Sequence, residues 1–386
     1  AQLIEAREGT HLWAQDYDRT LADVFAIQDD VSQSIARALE VTFSEQATAM
    51  VRSSYSSNFD AYDAHMKARY FIDNVYVKTR REEDFQRALE MTKRTVALDP
   101  DYYQGYVDLA ALHEIHWSFT GAPGDTEQSR KYVQQAYRLN PELPETNAGM
   151  AYMLFRMGKT DSAFAFTKKA VALHPNTWEP LHVIGTNMQN LGLYHQAIQF
   201  YDQATELNPF FLHTHSNRGW ALLAVGEVDR ALQDFVRAYH IQSDYVPNLL
   251  GYSLVLILKG KYSQADSLLQ RAERLPPGEG GAWLRFVRAL YFARLGEEEK
   301  ALALSRWPGV LATLGMKEEA IEAIADGIQN KRNGYAFLGY LPLRHLPFFD
   351  SLREEPRFQG ILERQRRVYE KWLKEYSLIE SSQERR

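Results

Sequence analysis

A period of 34 residues constrains this chain more than any other feature of its sequence. Pro141, Pro175, Pro209, Ser243 and Pro277 each stand 34 residues apart. A fixed period of this length is typical of a stack of supersecondary units, none of which can bury its apolar face alone. We therefore expect a repeat architecture, in which the core is distributed along the stack.

Small residues recur at the same places in each unit. Glycines spaced by the period follow the first helix of each unit, where a left-handed cap favours glycine: Gly158, Gly192, Gly226 and Gly260. Alanines seven residues apart mark the second helix: Ala163 and Ala170, Ala197 and Ala204, Ala231 and Ala238, and Ala265 and Ala272. Helices approach closely where the side chains between them are small. The pattern predicts antiparallel helix pairs.

These features resemble the tetratricopeptide repeat (TPR), down to the motifs Leu181–Gly185 and Ala197–Tyr201. The resemblance covers roughly residues 60–305. It implies an all-α fold, a right-handed superhelical solenoid of about seven to eight helix pairs. It also implies a concave groove, lined by the first helix of each unit, that binds protein or peptide.

The first 45 residues predict a short β-hairpin followed by a helix. The two strands run around Leu3 and Leu12, in apolar, β-tolerant segments. A two-stranded hairpin is marginal alone, so its free edge, with Leu3, Leu12 and Trp13, needs a cover from this chain or another.

This hairpin region also resembles the end of a TolB-like amino-terminal module. The resemblance rests on the segments 1–4, 11–14, 17–19 and 25–30. In bacteria such modules precede TPR arrays in nucleotide cyclases and in membrane-anchored transcription activators. The strands that normally come before these segments are missing here.

The rest of the chain divides into a predicted linker at 46–59, the TPR array at 60–305 and a C-terminal region at 306–386. The second unit is seven residues longer than the others, and we predict a loop insertion at 120–126, either a recognition element or tolerated surface. The C-terminal region predicts a degenerate last pair, at 308–314 and 318–329, and capping helices that close the stack. The final helix is expected from about Pro356 to Ser377, with these residues on one side: Ile361, Leu362, Val368, Trp372 and Tyr376.

The predicted groove residues lie at positions i, i+3, i+7 and i+10 of the first helices. They are Tyr152 and Phe155 in the third unit; His182, Thr186, Gln189 and Asn190 in the fourth; Trp220 and Leu223 in the fifth; Leu250, Leu254 and Ile257 in the sixth; and Leu284, Arg288 and Tyr291 in the seventh. Along this series the side chains change from polar to apolar.

The sixth first helix is apolar on nearly every side, which predicts that it is buried all round. A continuous exposed patch of this size is unusual in soluble monomers. Its cover is predicted to be the chain's own C-terminal helix, through Trp372 and Leu373, or a partner such as an amphipathic helix or a second copy. Tight curvature of the stack, which would hide these residues between units, is the remaining alternative.

The sequence contains no constellation of catalytic residues, and we expect no enzyme activity and no cofactor. His213 and His215 are two residues apart on a helix, so they point to different faces and do not form a metal pair. The net charge of −6, with mixed signs, argues against a nucleic-acid partner. No apolar run is long enough to span a membrane.

Cysteine content is the feature of the sequence that bears on the cellular compartment. The absence of cysteine fits the periplasm or cell surface better than the cytoplasm, which stays the alternative. The chain begins with Ala1 rather than Met, which suggests a processed or excised product.

Two hypotheses for function follow from these observations. The first is a non-enzymatic protein-interaction scaffold that self-assembles, head to tail or as a filament, through its ends and its groove. The second is a sensory or regulatory, partner-binding portion of a bacterial signalling protein, as the TolB-like resemblance implies.

Overall fold

Turn glycines end the first helix of successive units. Gly158, Gly192, Gly226 and Gly260 have φ angles of 73°, 80°, 84° and 71°, in the left-handed region where glycine avoids the strain that a Cβ atom causes. After each of them the chain reverses into the second helix of the pair. The predicted caps are confirmed.

The fold was obtained as a computed structural model that describes residues 2–4, 11–15, 31, 34, 56, 58–173, 175–275, 280–330 and 335–383. It divides into two compact units, residues 1–109 and 110–386. The predicted helix after the hairpin and most of the predicted linker lie outside the described residues. The predicted domain boundaries stay predictions.

The first compact unit, residues 1–109, begins with the predicted hairpin. Strands β1 (Gln2–Ile4) and β2 (His11–Ala14) are antiparallel, with Leu3 opposite Trp13 and an irregular register next to Ile4. The hairpin is followed in the described residues by a helix pair. Its first helix continues through a π-helical turn at Ile72–Tyr76 and ends with Val77–Thr79.

The described helices form eight consecutive pairs, as predicted. They are α1 (Phe59–Phe71) and α2 (Glu82–Leu98), α3 (Tyr103–Thr120) and α4 (Pro123–Leu139), α5 (Pro144–Arg156) and α6 (Thr160–Ala172), α7 (Trp178–Asn190) and α8 (Tyr194–Leu207), α9 (Leu212–Ala224) and α10 (Val228–Ile241), α11 (Val246–Leu258) and α12 (Tyr262–Glu273), α13 (Gly280–Arg294) and α14 (Glu298–Leu304), and α15 (Pro308–Thr313) and α16 (Lys317–Asn330).

Small residues hold the two helices of a pair together. The paired alanines of α6, α8, α10 and α12 are all buried. A Cβ atom on Gly185 would lie 2.7 Å from the Tyr201 ring, and one on Gly219 would lie 2.8 Å from the Phe235 ring. An aromatic side chain of the second helix thus rests on the backbone of the first, which only glycine permits at that distance.

The predicted loop insertion in the second pair is wrong. α3 extends to Thr120 and α4 begins at Pro123, so the surplus residues lengthen the two helices and leave only a short turn. Asp125, near the start of α4, accepts hydrogen bonds from His113 and His116 of α3, with 2.6 Å from each Nδ1 atom to a carboxylate oxygen. All three side chains are buried. This pairing joins the lengthened ends of the two helices.

The C-terminal region follows the degenerate last pair, which is confirmed. It contains a 3₁₀ turn (Tyr335–Leu338), α17 (Tyr340–His345), a second 3₁₀ turn (Pro347–Leu352) and α18 (Pro356–Gln383). α18 buries Ile361, Trp372 and Tyr376, but Val368 is 47% exposed. The prediction for Val368 is wrong, because the apolar side of α18 is interrupted in its middle.

Candidate protein-interaction surface

The predicted groove residues lie on the first helices α5, α7, α9, α11 and α13, and we refer to them as the first-helix surface. Their burial divides this surface into two parts. The open part keeps its side chains half-buried: Tyr152, Phe155, His182, Thr186, Gln189 and Asn190. In the closed part Trp220 is half-buried under the Phe337 ring and the other residues are buried: Leu223, Leu250, Leu254 and Ile257.

The closed part is packed by the chain itself. Leu223, Leu250, Leu254 and Ile257 are each at most 1% exposed. These side chains belong to one continuous core cluster that runs from Ala148 through the neighbouring repeat helices to the C-terminal residues. In this structure the four residues are therefore not accessible to a partner.

Phe337 is the residue that reaches the first-helix surface from the C-terminal region. Its ring centroid lies 5.5 Å from that of Trp220 on α9 and 5.2 Å from that of Trp283 on α13. α9 and α13 flank α11, so the ring of Phe337 bridges the neighbours of the most apolar first helix. α17 also packs on α9, where His345 approaches the turn at Gly226.

The C-terminal region thus packs on Trp220, but not through the residues that the sequence indicated. Trp372 contacts Phe164 on the second helix α6, with ring centroids 5.0 Å apart, and does not belong to the contacts of Trp220. Phe337 was missed because it lies in a short 3₁₀ turn that carries no helical period. Its only signal in the sequence is the apolar run from Tyr335 to Leu343.

Arg288 occupies a different position from the one predicted. Its side chain is buried and makes ion pairs with Asp266 and, at 2.8 Å from Nε, with Glu273, both on α12. The guanidinium group therefore faces the preceding helix rather than a partner. Leu284 and Tyr291, on the same helix, are half-buried.

The open part has a polar, hydrogen-bonded floor. The Tyr201 hydroxyl group lies 3.2 Å from both Thr186 Oγ1 and Gln189 Oε1. Nδ1 of His182 lies 3.0 Å from Thr214 Oγ1. Burial of the ring, and to a smaller extent the nearby His213, lowers the pKa of His182 to about 3. The ring is therefore neutral at physiological pH.

Charged groups flank this floor on α5. Burial raises the pKa of Glu145, and the neighbouring carboxylate of Glu179 raises it further. At the other end of α5, Arg156 pairs with Glu114 at 2.8 Å and lies 3.7 Å above the Trp117 ring. The open part thus combines aromatic side chains with neutral donors and acceptors, a composition typical of protein-binding surfaces.

The burial of His215 was not predicted from the sequence. His215 donates from Nε2 to the Pro209 carbonyl oxygen at 2.9 Å, and its Nδ1 lies 3.2 Å from Asp234. Asp234 also binds Arg218, and these hydrogen bonds lower its pKa although burial alone would raise it. His213 instead packs edge to face against Tyr245, with ring centroids 4.7 Å apart. The prediction that the two histidines point to different faces is confirmed.

The predicted N-terminal edge is described only in part. Leu3 and Leu12 lie in the paired strands, and Trp13 is half-buried. The side chains of Leu3 and Leu12 lie outside the described residues. A role of this edge in binding stays a prediction.

The described part of the chain offers neither a metal site nor a membrane-spanning helix. No group of three or more His, Asp or Glu side chains there could hold a metal ion. None of the described helices combines the length and the apolar character that crossing a membrane requires.

Comparison with known proteins gives one family match and distant relatives. A sequence model described as "Tetratricopeptide repeat" matches residues 181–211. A Rhizobium meliloti (strain 1021) protein, whose name provisionally assigns it as adenylate cyclase 3, is 30% identical over 166 residues, which are 42% of this chain and 27% of that protein. The Arabidopsis thaliana protein CTR9 homolog is 34% identical over 105 residues, 27% of this chain and 10% of that protein.

A solved structure of Pseudomonas aeruginosa PilF matches 61% of this chain and 99% of its own at 17% identity, with a TM-score of 0.41. The chain spans about a quarter or less of the length of the two sequence relatives. The 34-residue period, the glycine-capped helix pairs and the matched repeat at residues 181–211 give this chain the fold of a tetratricopeptide-repeat protein.

Proposed function

We propose that this chain is a non-enzymatic scaffold that binds a protein or peptide segment on the open part of its first-helix surface. One observation carries the proposal. The open part leaves aromatic and polar side chains half-buried on α5 and α7, whereas the chain itself packs over the equivalent positions on α9 and α11. Tetratricopeptide repeats commonly serve protein–protein interaction, which supports this assignment.

The chemistry of the open part favours a peptide in an extended or irregular conformation. Gln189 and Asn190 carry amide groups that donate and accept hydrogen bonds, as a peptide backbone requires. Tyr152 and Phe155 offer apolar contact area for one or two anchor side chains. Because the floor is neutral, we expect affinity to depend little on salt.

The test is a selection of peptides from a random library on the purified chain, followed by fluorescence anisotropy. Replacing Gln189 and Asn190 together by Ala removes two side chains with four polar atoms, and we expect about tenfold or greater loss of affinity. Gln270→Ala, at an exposed position of α12, is the matched control and should leave affinity unchanged. Equal affinity of all three proteins would contradict the proposal.

A sharper form of this proposal is self-assembly. The hairpin edge with Trp13, the first-helix surface and the C-terminal region are unlike surfaces, and unlike surfaces that meet head to tail form rings or filaments. Multi-angle light scattering over a wide concentration range tests it. Growth of the average mass with concentration is expected, and a constant monomer mass would exclude assembly.

A second candidate is a regulatory portion of a bacterial signalling protein. The Rhizobium meliloti relative and the TolB-like resemblance of the first 45 residues favour it. In this case the open part would bind a signalling partner and control an effector domain of the same protein. The complete gene tests this candidate, because it requires a coding region for a cyclase or DNA-binding domain.

A further inference from the structure

The C-terminal end of α18 docks on α6, a second helix that does not belong to the first-helix surface. Trp372 is 7% exposed, and its ring lies 5.0 Å from that of Phe164, which is 2% exposed. Tyr376, one helical turn later, is also buried. Two buried aromatic residues four positions apart thus mark this end of the helix.

A second, separate anchor holds the start of α18. Phe358 packs against Phe349, with ring centroids 6.3 Å apart, and Ile361 is buried beside it. Between the two anchors the helix exposes Arg366, Arg367 and Val368. Tyr369, which follows this stretch, packs on Tyr340 of α17, with ring centroids 5.6 Å apart. The contact on α6 can therefore open beyond Tyr369 while the first anchor stays in place.

The docked end contacts α6 through the aromatic pair and through an ion pair between Lys371 and Asp161, at 3.7 Å, in which both side chains are mostly exposed. Leu373, next to Trp372, is half-buried against the core. Exposed ion pairs contribute at most about 1 kcal/mol. Segments with few buried contacts open at a lower free energy than the whole domain.

We propose that the face of α6 around Phe164 is a docking surface for an amphipathic helix, and that residues 366–383 are its resident ligand. The helix that fits this surface carries a Trp and a Tyr four positions apart, with a basic residue before the Trp to face Asp161. This is the pattern of Lys371, Trp372 and Tyr376. A partner helix with the same pattern replaces the resident segment.

The covalent link to the rest of the chain explains why residues 366–383 stay bound to the face of α6 around Phe164. A covalently linked ligand acts at an effective concentration in the millimolar range, so a free helix competes poorly with it. An isolated helix of this length is also marginal in water and gains order only on docking. Weakening the resident segment should therefore raise the apparent affinity for the same helix added in trans.

The experiment uses a fluorescein-labelled peptide of residues 364–383 and the full chain. In fluorescence anisotropy, the Trp372→Ala chain is expected to bind the peptide about tenfold more tightly than the unmodified chain. The same peptide with the Trp372→Ala change should not bind. Val368→Ala, an exposed position on the same helix, is the matched control and should behave as the unmodified chain.

Hydrogen exchange separates undocking from loss of the fold. In the Trp372→Ala chain, faster exchange is expected only in residues 356–383, with α7 to α12 unchanged. If this variant unfolds, Lys371→Glu replaces it, since reversing the exposed charge beside Asp161 preserves the aromatic contact and should tighten peptide binding about threefold. Unchanged peptide binding in a folded variant of either kind would overturn the proposal.

Discussion

The open and closed parts of the first-helix surface are built from the same repeat but have different fates. On α5 and α7 the positions that face outward from the pair stay half-buried and are aromatic or polar, whereas on α9 and α11 they are apolar and, apart from Trp220, buried. On α9 the difference arises outside the repeat, because Phe337 and α17 return to this helix from the C-terminal region. A repeat unit thus predicts the helix pair, but the rest of the chain decides whether its surface is available.

The largest expected effect comes from removing the residue that covers the closed part. Phe337→Ala leaves a cavity between Trp220 and Trp283, and we expect the free energy of unfolding to fall by about 3–5 kcal/mol. Urea denaturation followed by tryptophan fluorescence measures it. Phe155→Ala, in the open part, is the control and should cost clearly less. A loss under about 1 kcal/mol for Phe337→Ala would show that the closed part does not depend on this ring.

Two equivalent glycines sharpen the comparison at the level of packing. Gly251 of α11 and Gly149 of α5 occupy the same place in their units, but an added Cβ atom would lie 2.4 Å from the Phe235 ring in the first case and 3.6 Å from Val133 in the second. Gly251→Ala should destabilise by about 1–3 kcal/mol through overpacking. Gly149→Ala should stabilise by up to about 1 kcal/mol through helix propensity. Thermal denaturation of both variants decides this, and equal shifts would contradict it.

His182 makes the open part sensitive to acid. Its pKa is about 3 in the folded chain and 6.5 in the unfolded chain, so between these values the unfolded state binds more protons and stability falls as pH falls. From pH 6.5 to pH 4.5 we expect a loss of about 1–2 kcal/mol, allowing for the part of the ring that reaches solvent. The measurement is the difference between the unmodified chain and His182→Gln at each pH. A difference that is independent of pH would refute the prediction.

The smallest effect is expected from the hydroxyl group under the open part. Tyr201 and Phe235 are equivalent in their units, and only Tyr201 hydrogen-bonds to the surface residues Thr186 and Gln189. Tyr201→Phe should cost about 0.5–1.5 kcal/mol, because both partners are half-exposed and can bond to water instead. Chemical denaturation checks this value, with Phe235→Tyr as the reverse substitution. A cost above about 3 kcal/mol would mean that Thr186 and Gln189 are not accessible to water.

The local rules of the fold could be predicted from the sequence because they repeat. Gly158 and its equivalents, and the paired alanines, specify each helix pair by contacts within 34 residues, and all of them were placed correctly. The turn at Gly121 was not, since one extra turn on each of two helices and a loop of the same length have the same residue count. Asp125, which binds both His113 and His116, settles the choice through a tertiary contact.

The availability of the predicted surface could not be deduced in this way. Leu250 and Leu254 have the spacing of surface-lining residues, and their apolar character indicated only that something covers them. Phe337, which packs on Trp220 and Trp283 of the two flanking helices, is far from them in sequence and has no periodic partner. Arg288 was misplaced for a related reason, because its acidic partners Asp266 and Glu273 belong to the preceding unit. Contacts between units depend on pairs of positions, which a single-unit pattern does not show.

The ring of Phe235 touches the backbones of two successive units, at Gly219 and Gly251. The two neighbouring repeat units share this ring and are therefore not interchangeable. The 34-residue period suggests a repeat boundary between Ile241 and Val246. A chimaera that replaces the repeats after this boundary would separate Phe235 from Gly251 and expose the Phe235 ring to water. Grafting or deleting repeats of this protein therefore has to carry both glycines along with the aromatic residue that they share.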